Sequence, residues 1–198
     1  MILLVRHGET PSNAARVVQT PDTPLSARGR EQAQRLAARL AQFPVGRILA
    51  SDLARAVQTA EALQRATRAQ LELEPLLQER NFGDVRGTPY AELGYDLFAP
   101  DFAPPGGESW EAFHRRVDRA WARVLEVARR TPGDLAVVTH GLVCYSLAQR
   151  HLRLPGGAAA ELGLPNTALA LIEPAPPHHV TLWGCTEHLA SACDGAPA

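Results

Sequence analysis

Short apolar runs alternate with longer amphipathic segments along the chain. The runs at residues 2–5 and 135–139 are apolar almost throughout, which is typical of strands buried on both faces of a parallel sheet. Two shorter apolar runs predict two more strands, and a pair of runs on either side of a proline-rich turn near the C-terminus predicts a hairpin. The predicted strands are residues 2–5, 47–50, 71–73 and 135–139, followed by a hairpin of residues 167–173 and 180–184.

Between the strands, apolar residues recur every three or four positions, which predicts amphipathic helices. Ser26 is suited to cap one of them, because its hydroxyl can accept a free N–H of the first turn. Residues 8–25 are polar and contain proline, which predicts a loop. The predicted helices are residues 26–43, 52–66, 108–130 and 141–152, with a short one at 88–95.

Strands that alternate with helices of ten or more residues predict an α/β fold with a mostly parallel sheet covered on both faces. At 198 residues the chain is long enough for one domain. We expect residues 1–184 to form that domain, with residues 84–130 as a helical cap insertion. We expect residues 185–198 to form a tail.

The charge balance argues against binding to a polyanion. The net charge is −1, and all 20 basic residues are arginine. A nucleic-acid-binding domain is usually strongly basic, so we expect no nucleic-acid partner. No apolar run approaches the roughly 20 residues that span a bilayer. The N-terminus lacks a secretion signal, and three cysteines form no disulfide framework, so we expect a cytoplasmic protein without a membrane partner.

Two predicted strands end in the same way, with His7-Gly8 after the first and His140-Gly141 after the fourth. Ligands of such sheets bind outside the carboxyl ends of the strands. If the two strands are neighbours, both imidazoles lie at one edge of the sheet. A single histidine at a strand end is more often structural, but two of them, one preceded by Arg6, indicate a site.

Two further segments place polar groups at the same edge. Arg55 lies in the first turn of a predicted helix, where free N–H groups favour an anion, although alone it is typical of an exposed helix residue. A loop with Glu79 and Asp84 follows the third strand and could bring a carboxyl group over the imidazoles. The alternative for this loop is a solvated turn.

The ordered set of these motifs resembles the histidine phosphatase superfamily, also called the phosphoglycerate mutase-like family, from residue 3 to about residue 150. Arg-His-Gly alone is a weak signal, and the ordered set is a strong one. The matching segments are Leu4-Val5-Arg6-His7-Gly8-Glu9-Thr10 with Asn13, Pro24-Leu25-Ser26 with Gly29, Ser51-Asp52-Leu53 with Arg55, Glu79 with Phe82 and Gly83, Pro105-Gly106-Gly107-Glu108-Ser109, and Val138-Thr139-His140-Gly141.

The resemblance implies a three-layer α/β/α sandwich, with the C-terminal hairpin at the sheet edge. It implies that His7 is the nucleophile that takes a phosphoryl group and that Glu79 donates the proton. A hydrogen bond from the other nitrogen of His7 to a carbonyl would set its tautomer. The groups implied to bind the phosphoryl oxygens are Arg6, Arg55 and His140. The residues expected to bind the rest of the substrate are Asn13, Gln19, Arg80 and Gly141.

The resemblance also implies a small-molecule phosphate ester as substrate, no metal or other cofactor, and a monomer or homodimer. Hydrolases and mutases share the phosphoryl site. The segment from Gly87 to His140 is short, 53 positions (140 − 87), and contains no lysine, which favours the hydrolase. Arg80 follows Glu79 as in mutases, where the matching arginine contacts a substrate carboxylate.

This chain departs from the phosphatase pattern at the leaving-group side. Ser12 and Thr20 stand where phosphatase relatives often have Trp and Gly, and Val85-Arg86 replaces the usual Trp-Glu pair. These departures leave the identity of the substrate undecided, but they do not affect the predicted phosphoryl-transfer chemistry. The alternatives are a cofactor-dependent phosphoglycerate mutase and a phosphate-binding module without turnover.

A metal site near the C-terminus is the last alternative. Cys185, His188 and Cys193 lie close in sequence, with His178 and His179 before them. Their spacing fits no common zinc pattern, so we expect no metal there.

Overall fold

The computed structural model describes residues 1–157 and 164–190. Within these residues, six strands form one sheet in the order β3-β2-β4-β1-β5-β6. The strands are β1 (Ile2–Arg6), β2 (Val45–Ala50), β3 (Gln70–Leu73), β4 (Asp134–Thr139), β5 (Leu169–Ile172) and β6 (Val180–Cys185).

Five α-helices connect these strands within the described part of the chain. They are α1 (Pro11–Ala15), α2 (Ala27–Leu40), α3 (Ala54–Thr67), α4 (Trp110–Arg130) and α5 (Gly141–Arg150). Ser26 caps α2 as predicted, since its hydroxyl accepts the Gly29 N–H at 2.9 Å. Short 3-10 turns lie at Pro75–Leu77, Gly83–Val85, Tyr90–Glu92, Pro155–Gly157 and Glu187–Leu189.

The strands β3, β2, β4 and β1 run parallel, while β5 pairs antiparallel with β1 and β6 antiparallel with β5. The predicted α/β fold with a mostly parallel sheet and a C-terminal hairpin at its edge is confirmed. The pairing of β1 with β4 aligns Val5 with Val138 and Arg6 with Thr139. The two strands therefore end at the same level of the sheet.

Both faces of the sheet are buried, which explains why β1 is apolar without alternation. Ile2 and Leu4 pack with α4 and α5 on one face, and Leu3 and Val5 pack with α2 and α3 on the other. All four side chains are fully buried. At about 1.5–3 kcal/mol for each side chain of this size, the two cores supply much of the energy that holds the layers together.

Two predictions for the connections were wrong. The segment 8–25, predicted as a loop, contains the one-turn helix α1, which starts with Pro11 and is capped by a reciprocal pair of hydrogen bonds between Thr10 and Asn13. This helix has no apolar stripe, so periodicity does not reveal it. The predicted short helix at 88–95 is only the 3-10 turn Tyr90–Glu92.

The division into a domain, a cap and a tail stays a prediction. Within the expected cap segment, α4 packs on the sheet. Within the expected tail, the turn Glu187–Leu189 lies beside α2, where Arg35 donates to the Leu189 carbonyl at 3.2 Å. Residues 191–198, including Cys193, lie outside the described residues. In the described part of the chain, no helix combines the length and apolar character needed to cross a membrane.

A close crossing of two glycines holds the turn after β1 against α2. A Cβ added at Gly29 would overlap the Glu9 carbonyl oxygen, and one at Gly8 would lie 2.6 Å from the Gly29 oxygen. The Glu9 N–H donates to Gln32 Oε1 at 2.8 Å, which holds the turn on α2. The turn after His7 can pack this closely on α2 only because Gly8 and Gly29 have no side chains.

We expect Gly29→Ala to lower the free energy of unfolding by about 1–3 kcal/mol through overpacking, although alanine is the better helix former by about 1 kcal/mol. Urea unfolding measures this change. Glu31→Ala on the exposed side of the same helix is the control and should shift stability by less than about 0.5 kcal/mol. A Gly29→Ala protein at least as stable as wild type would contradict the close crossing.

Candidate active site

The two strand-end histidines meet at one edge of the sheet, as predicted. His7 is 1% exposed and His140 is 0% exposed, and their ring centroids lie 5.1 Å apart. The His7 N–H donates to the Thr139 carbonyl at 2.9 Å, which continues the pairing of β1 with β4 for one more residue. The sheet register itself brings the imidazoles together.

His7 has one nitrogen tied to the main chain and one free. Its Nδ1 lies 2.7 Å from the Gly8 carbonyl oxygen. A carbonyl only accepts, so Nδ1 carries the proton and the lone pair lies on Nε2. Burial, together with the positive charges of Arg55 and Arg6, holds the pKa of His7 well below its usual 6.5. The ring is therefore neutral and nucleophilic at Nε2 near neutral pH.

Arg6 and Arg55 line the same cleft as His7, and most of their donors have no partner within residues 1–157 and 164–190. Arg55 is 2% exposed, and one of its terminal N–H groups donates to the Thr20 carbonyl at 3.1 Å. One terminal N–H of Arg6 donates to the Leu164 carbonyl. Burial lowers the pKa of Arg55 to about 10, which leaves it charged at neutral pH.

Four buried nitrogens around the site have no partner within residues 1–157 and 164–190. They are Nε of Arg6, Nε of Arg55, Nη1 of Arg80 and Nδ1 of His140. A buried donor without a partner costs about 1–3 kcal/mol. Two guanidiniums and an imidazole with donors to spare form an arrangement that suits the oxygens of a phosphate.

Ser51 is the hydrogen-bond partner of His140. The Ser51 Oγ accepts the Leu53 N–H at 3.3 Å and lies 2.8 Å from His140 Nε2. When the Ser51 hydroxyl donates to Nε2, the ring proton lies on Nδ1, which is then a donor. Burial lowers the pKa of His140 well below 6.5, so this donor is a neutral imidazole.

Glu79 faces the same spot from the segment after β3. One of its oxygens accepts the Arg80 N–H at 3.1 Å, and the other accepts the Leu142 N–H at 3.3 Å, in the first turn of α5. Burial raises the pKa of Glu79 above its usual 4.5, although Arg55 and the two N–H donors oppose this shift. The carboxyl group thus keeps its proton to a higher pH than a free glutamate.

An ion pair from α4 holds the segment that carries Glu79. Arg116 donates to the carbonyls of Leu76, Gln78 and Glu79 at 2.8, 2.7 and 3.1 Å. Its other contacts join Glu108 in a two-pronged pair at 2.8 and 2.7 Å. The sequence analysis found Glu108 in a motif but missed Arg116, because a helix arginine gives no sign of the loop it will contact.

Arg80 is a buried arginine that donates to main-chain carbonyls of the protein. It is 2% exposed and lies 4.2 Å from the Trp110 ring centroid. Its Nε donates to the Glu108 carbonyl at 3.0 Å and its Nη2 to the Phe102 carbonyl at 2.5 Å. It also lines the cleft described next, so its expected contact with the substrate stays a prediction.

A cleft of about 430 Å³ opens above His7, within the usual range for small-molecule sites. Asn13, Gln19 and Gly141 line it, and their contact with the substrate stays a prediction. Asp84 is not among the residues that line the cleft, and its carboxylate lies against Gly106. Of the two acids in this loop, Glu79 is therefore the one at the site. The cleft is also lined by Arg86, which the sequence analysis placed at the leaving-group side, and by three residues that it did not assign: Arg16, Tyr90 and Phe98.

Asn166 also belongs to the site and was missed. Its Nδ2 donates to the His7 carbonyl at 3.0 Å and to Asn13 Oδ1 at 3.2 Å. It joins the segment before β5 to the turn after β1. Nothing in the local sequence distinguishes it from an ordinary loop asparagine.

The C-terminal histidines and cysteines form no cluster in the part of the chain that the structure describes. There, no group of three or more His, Cys, Asp or Glu side chains could hold a metal ion. Cys193 lies outside that part.

A model of the histidine phosphatase superfamily (branch 1) matches residues 2–185. The chain belongs to this superfamily. Membership makes it an enzyme that acts on phosphate groups, which agrees with the donors gathered around His7. Among similar curated proteins, the probable phosphoglycerate mutase GpmB of Proteus mirabilis is 33% identical over 182 residues, covering 87% of this chain and 84% of that protein.

Solved structures of superfamily members are similar in fold. A putative α-ribazole-5′-P phosphatase from Escherichia coli matches with a TM-score of 0.81 and 27% identity, covering 93% of this chain and 96% of the other. A mycobacterial glucosyl-3-phosphoglycerate phosphatase in complex with VO3 matches with a TM-score of 0.74 and 28% identity, covering 87% and 90%. The relatives are thus named as both mutases and phosphatases.

We expect Arg116→Met to lower the free energy of unfolding by about 3 kcal/mol, because three carbonyls lose their donor and the partly buried Glu108 carboxylate loses its ion pair and, among the described residues, keeps only the Asn81 N–H. It should also lower kcat, since the segment that carries Glu79 loses its support. Urea unfolding and steady-state kinetics measure both effects. The matched control is Arg115→Met, whose exposed pair with Glu111 is worth less than about 0.5 kcal/mol. Equal effects of the two changes would contradict the supporting role of Arg116.

Proposed function

We propose that this enzyme is a metal-independent phosphomonoesterase that hydrolyses a small phosphorylated metabolite through a phosphohistidine at His7. The observation that carries the proposal is the state of His7. Its Nδ1 is fixed on the Gly8 carbonyl, and its neutral Nε2 lies among Arg6, Arg55 and His140.

In the first step, His7 Nε2 attacks phosphorus and the bond between phosphorus and the leaving oxygen breaks. Glu79 gives its proton to that oxygen, so an alcohol leaves. The new phosphohistidine is protonated at Nδ1, and the Gly8 carbonyl accepts this proton in a hydrogen bond that strengthens as the ring becomes charged. The raised pKa of Glu79 suits this donation.

In the second step, water attacks phosphorus while the Glu79 carboxylate takes its proton. The bond between phosphorus and Nε2 breaks, which releases inorganic phosphate and restores His7. Splitting one slow displacement into two easier ones is the advantage of a covalent intermediate. One carboxyl group serves as acid and then as base.

The cationic end of the cleft supports both steps. Phosphoryl transfer depends mainly on positioning and on stabilising charge at the nonbridging oxygens. A pair of unit charges about 4 Å apart is worth roughly 4 kcal/mol at an effective dielectric constant of 20. Arg6, Arg55 and the Nδ1–H of His140 are suited to share those oxygens, and no one of them suffices alone.

Hydrolysis is favoured over mutase activity by the short segment from Gly87 to His140, which contains no lysine. In mutases the arginine that matches Arg80 contacts a substrate carboxylate. Here its Nε and Nη2 donate to the carbonyls of Glu108 and Phe102, and its Nη1 has no partner within residues 1–157 and 164–190. The names of the curated relatives favour the mutase as a second candidate. Interconversion of 2- and 3-phosphoglycerate, stimulated by the bisphosphate, would identify a mutase in the same assay.

We expect His7→Ala to abolish hydrolysis of 4-nitrophenyl phosphate, because Nε2 forms the bond to phosphorus. Wild type should keep its rate in EDTA, and rapid quench with labelled substrate should trap label that is stable in base and lost in acid. The matched control is His179→Ala, which removes an exposed histidine. Full activity of His7→Ala would exclude the covalent step. No turnover by wild type over a panel of phosphate esters would favour a phosphate-binding module.

We expect kcat/KM to follow a bell-shaped pH profile. Activity needs neutral His7, whose lowered pKa puts the acid limb below 6.5, and protonated Glu79, whose raised pKa puts the alkaline limb above 4.5. Glu79→Gln should remove the alkaline limb and lower the rate on an alkyl phosphate by about 10²–10⁴-fold, with a smaller loss on 4-nitrophenyl phosphate. Glu92→Gln, on an exposed turn, is the control. A wild-type rate still rising above about pH 9 would remove Glu79 from the acid role.

A further inference from the structure

Two arginines at the mouth of the cleft have no part in the proposed reaction. Arg16 is exposed, Arg86 is partly buried, and both line the cleft that contains His7. Over residues 1–157 and 164–190, neither guanidinium forms a hydrogen bond or an ion pair. Their donors are therefore available to a ligand.

The backbone places the two arginines on one wall. A bridge joins Val17 to Pro89, and the Tyr90 N–H donates to the Arg16 carbonyl at 2.9 Å. The Gly87 N–H donates to the Val18 carbonyl at 2.7 Å. The segments that carry Arg16 and Arg86 are thus held together by main-chain bonds.

Arg16 occupies a backbone position that is unfavourable for arginine. It ends α1 with φ 53°, in the left-handed region where glycine or asparagine is usual. Its guanidinium carbon lies 5.9 Å from the centroid of the Tyr90 ring. A long cation is thus present where a small residue would be less strained, and strain of this kind is often found at functional positions.

Arg86 lines the same cleft as Arg55. Its positive charge is also one of the smaller causes that lower the pKa of Arg55, after burial, so the two guanidiniums repel each other. An arginine that repels another cation in the unliganded site is stabilised when an anion lies between or beside them.

Arg6 and Arg55 account for only part of the positive charge that lines the cleft. Arg6 and Arg55 are suited to the phosphoryl group, and Glu79 is neutral when it acts as the acid. Tyr90 and Phe98 add an aromatic wall beside the outer arginines. The outer part of the cleft is therefore built for an organic group that carries its own negative charge.

We propose that Arg16 and Arg86 bind a second anionic group, a carboxylate or a phosphate, on the leaving-group part of the substrate. This inference rests on the proposed function, since it describes the substrate of the same site. The enzyme would then prefer a phosphate ester of an anionic alcohol, and its product would keep the second anion.

The experiment compares matched substrates that differ in the second charge. The pair 3-carboxyphenyl phosphate and 3-carbamoylphenyl phosphate has nearly the same shape, and 1,3-phenylene bisphosphate distinguishes a phosphate from a carboxylate. The readout is the ratio of kcat/KM for each anionic substrate to that for the carbamoyl compound. Wild type, Arg16→Gln, Arg86→Gln and the double variant are measured, with Arg119→Gln as the control because Arg119 is exposed on α4 outside the cleft.

We expect the ratio to exceed tenfold in wild type for one or both anionic substrates and to fall by about tenfold or more in each variant, since hydrogen bonds to charged groups are worth about 1.5–3 kcal/mol. Arg119→Gln should leave the ratio unchanged. A ratio within twofold of one in wild type, or equal ratios in wild type and the double variant, would overturn the second-anion site while leaving hydrolysis intact.

If wild type hydrolyses none of the three compounds, the proposed hydrolysis is wrong, and calorimetric affinities decide the second site by themselves. Tighter binding of an anionic compound, lost in the double variant, would support it. Equal affinities for all three compounds would overturn it.

Discussion

The structure depends on the parallel pairing of β1 with β4 in a register that ends both strands together. Arg6 faces Thr139 across the sheet, so the next residue of each chain, His7 and His140, emerges at the same level. A slip by one residue would turn one imidazole to the other face of the sheet. The buried side chains of β1 on both faces prevent this slip, since each has its own core to fill. The site is thus held by the same apolar contacts that hold the fold.

Burial shifts the pKa values of the groups around His7 in opposite directions. Removal from water disfavours every charged form, so it lowers the pKa of both histidines and raises the pKa of Glu79. Burial therefore favours a neutral His7 and lets the Glu79 carboxyl keep its proton to a higher pH, which are the directions that the proposed transfer to His7 requires. The arginines stay charged because even the lowered pKa of Arg55, about 10, is far above neutrality. One physical cause therefore acts on the proposed nucleophile and on the proposed acid.

The absence of lysine gives the arginines two distinct kinds of task. Arg116 and Arg80 bind several main-chain carbonyls at once, which a fork of five N–H groups can do and a single ammonium cannot do with the same geometry. They hold the segment that carries Glu79 against α4. In the part of the chain that the structure describes, Arg6 and Arg55 each donate one terminal N–H to a carbonyl, and the proposed mechanism assigns their other donors to the substrate. The two groups of arginines differ in the number of main-chain carbonyls to which each side chain donates.

The sequence by itself determined the alternation of strands and helices, the apolar strands and the two His-Gly ends, because these features are local or periodic. It also indicated Arg55 and Glu79, whose motifs lie directly after strands. It did not reveal α1, which has no apolar stripe, the contacts of Arg116 and Asn166, or the positions of Arg16 and Arg86 in the lining of the cleft. These contacts and positions join segments far apart in the chain, and no local pattern encodes which carbonyl or cleft a long side chain will reach. Only the tertiary structure decided them, because burial and contact depend on how the layers pack.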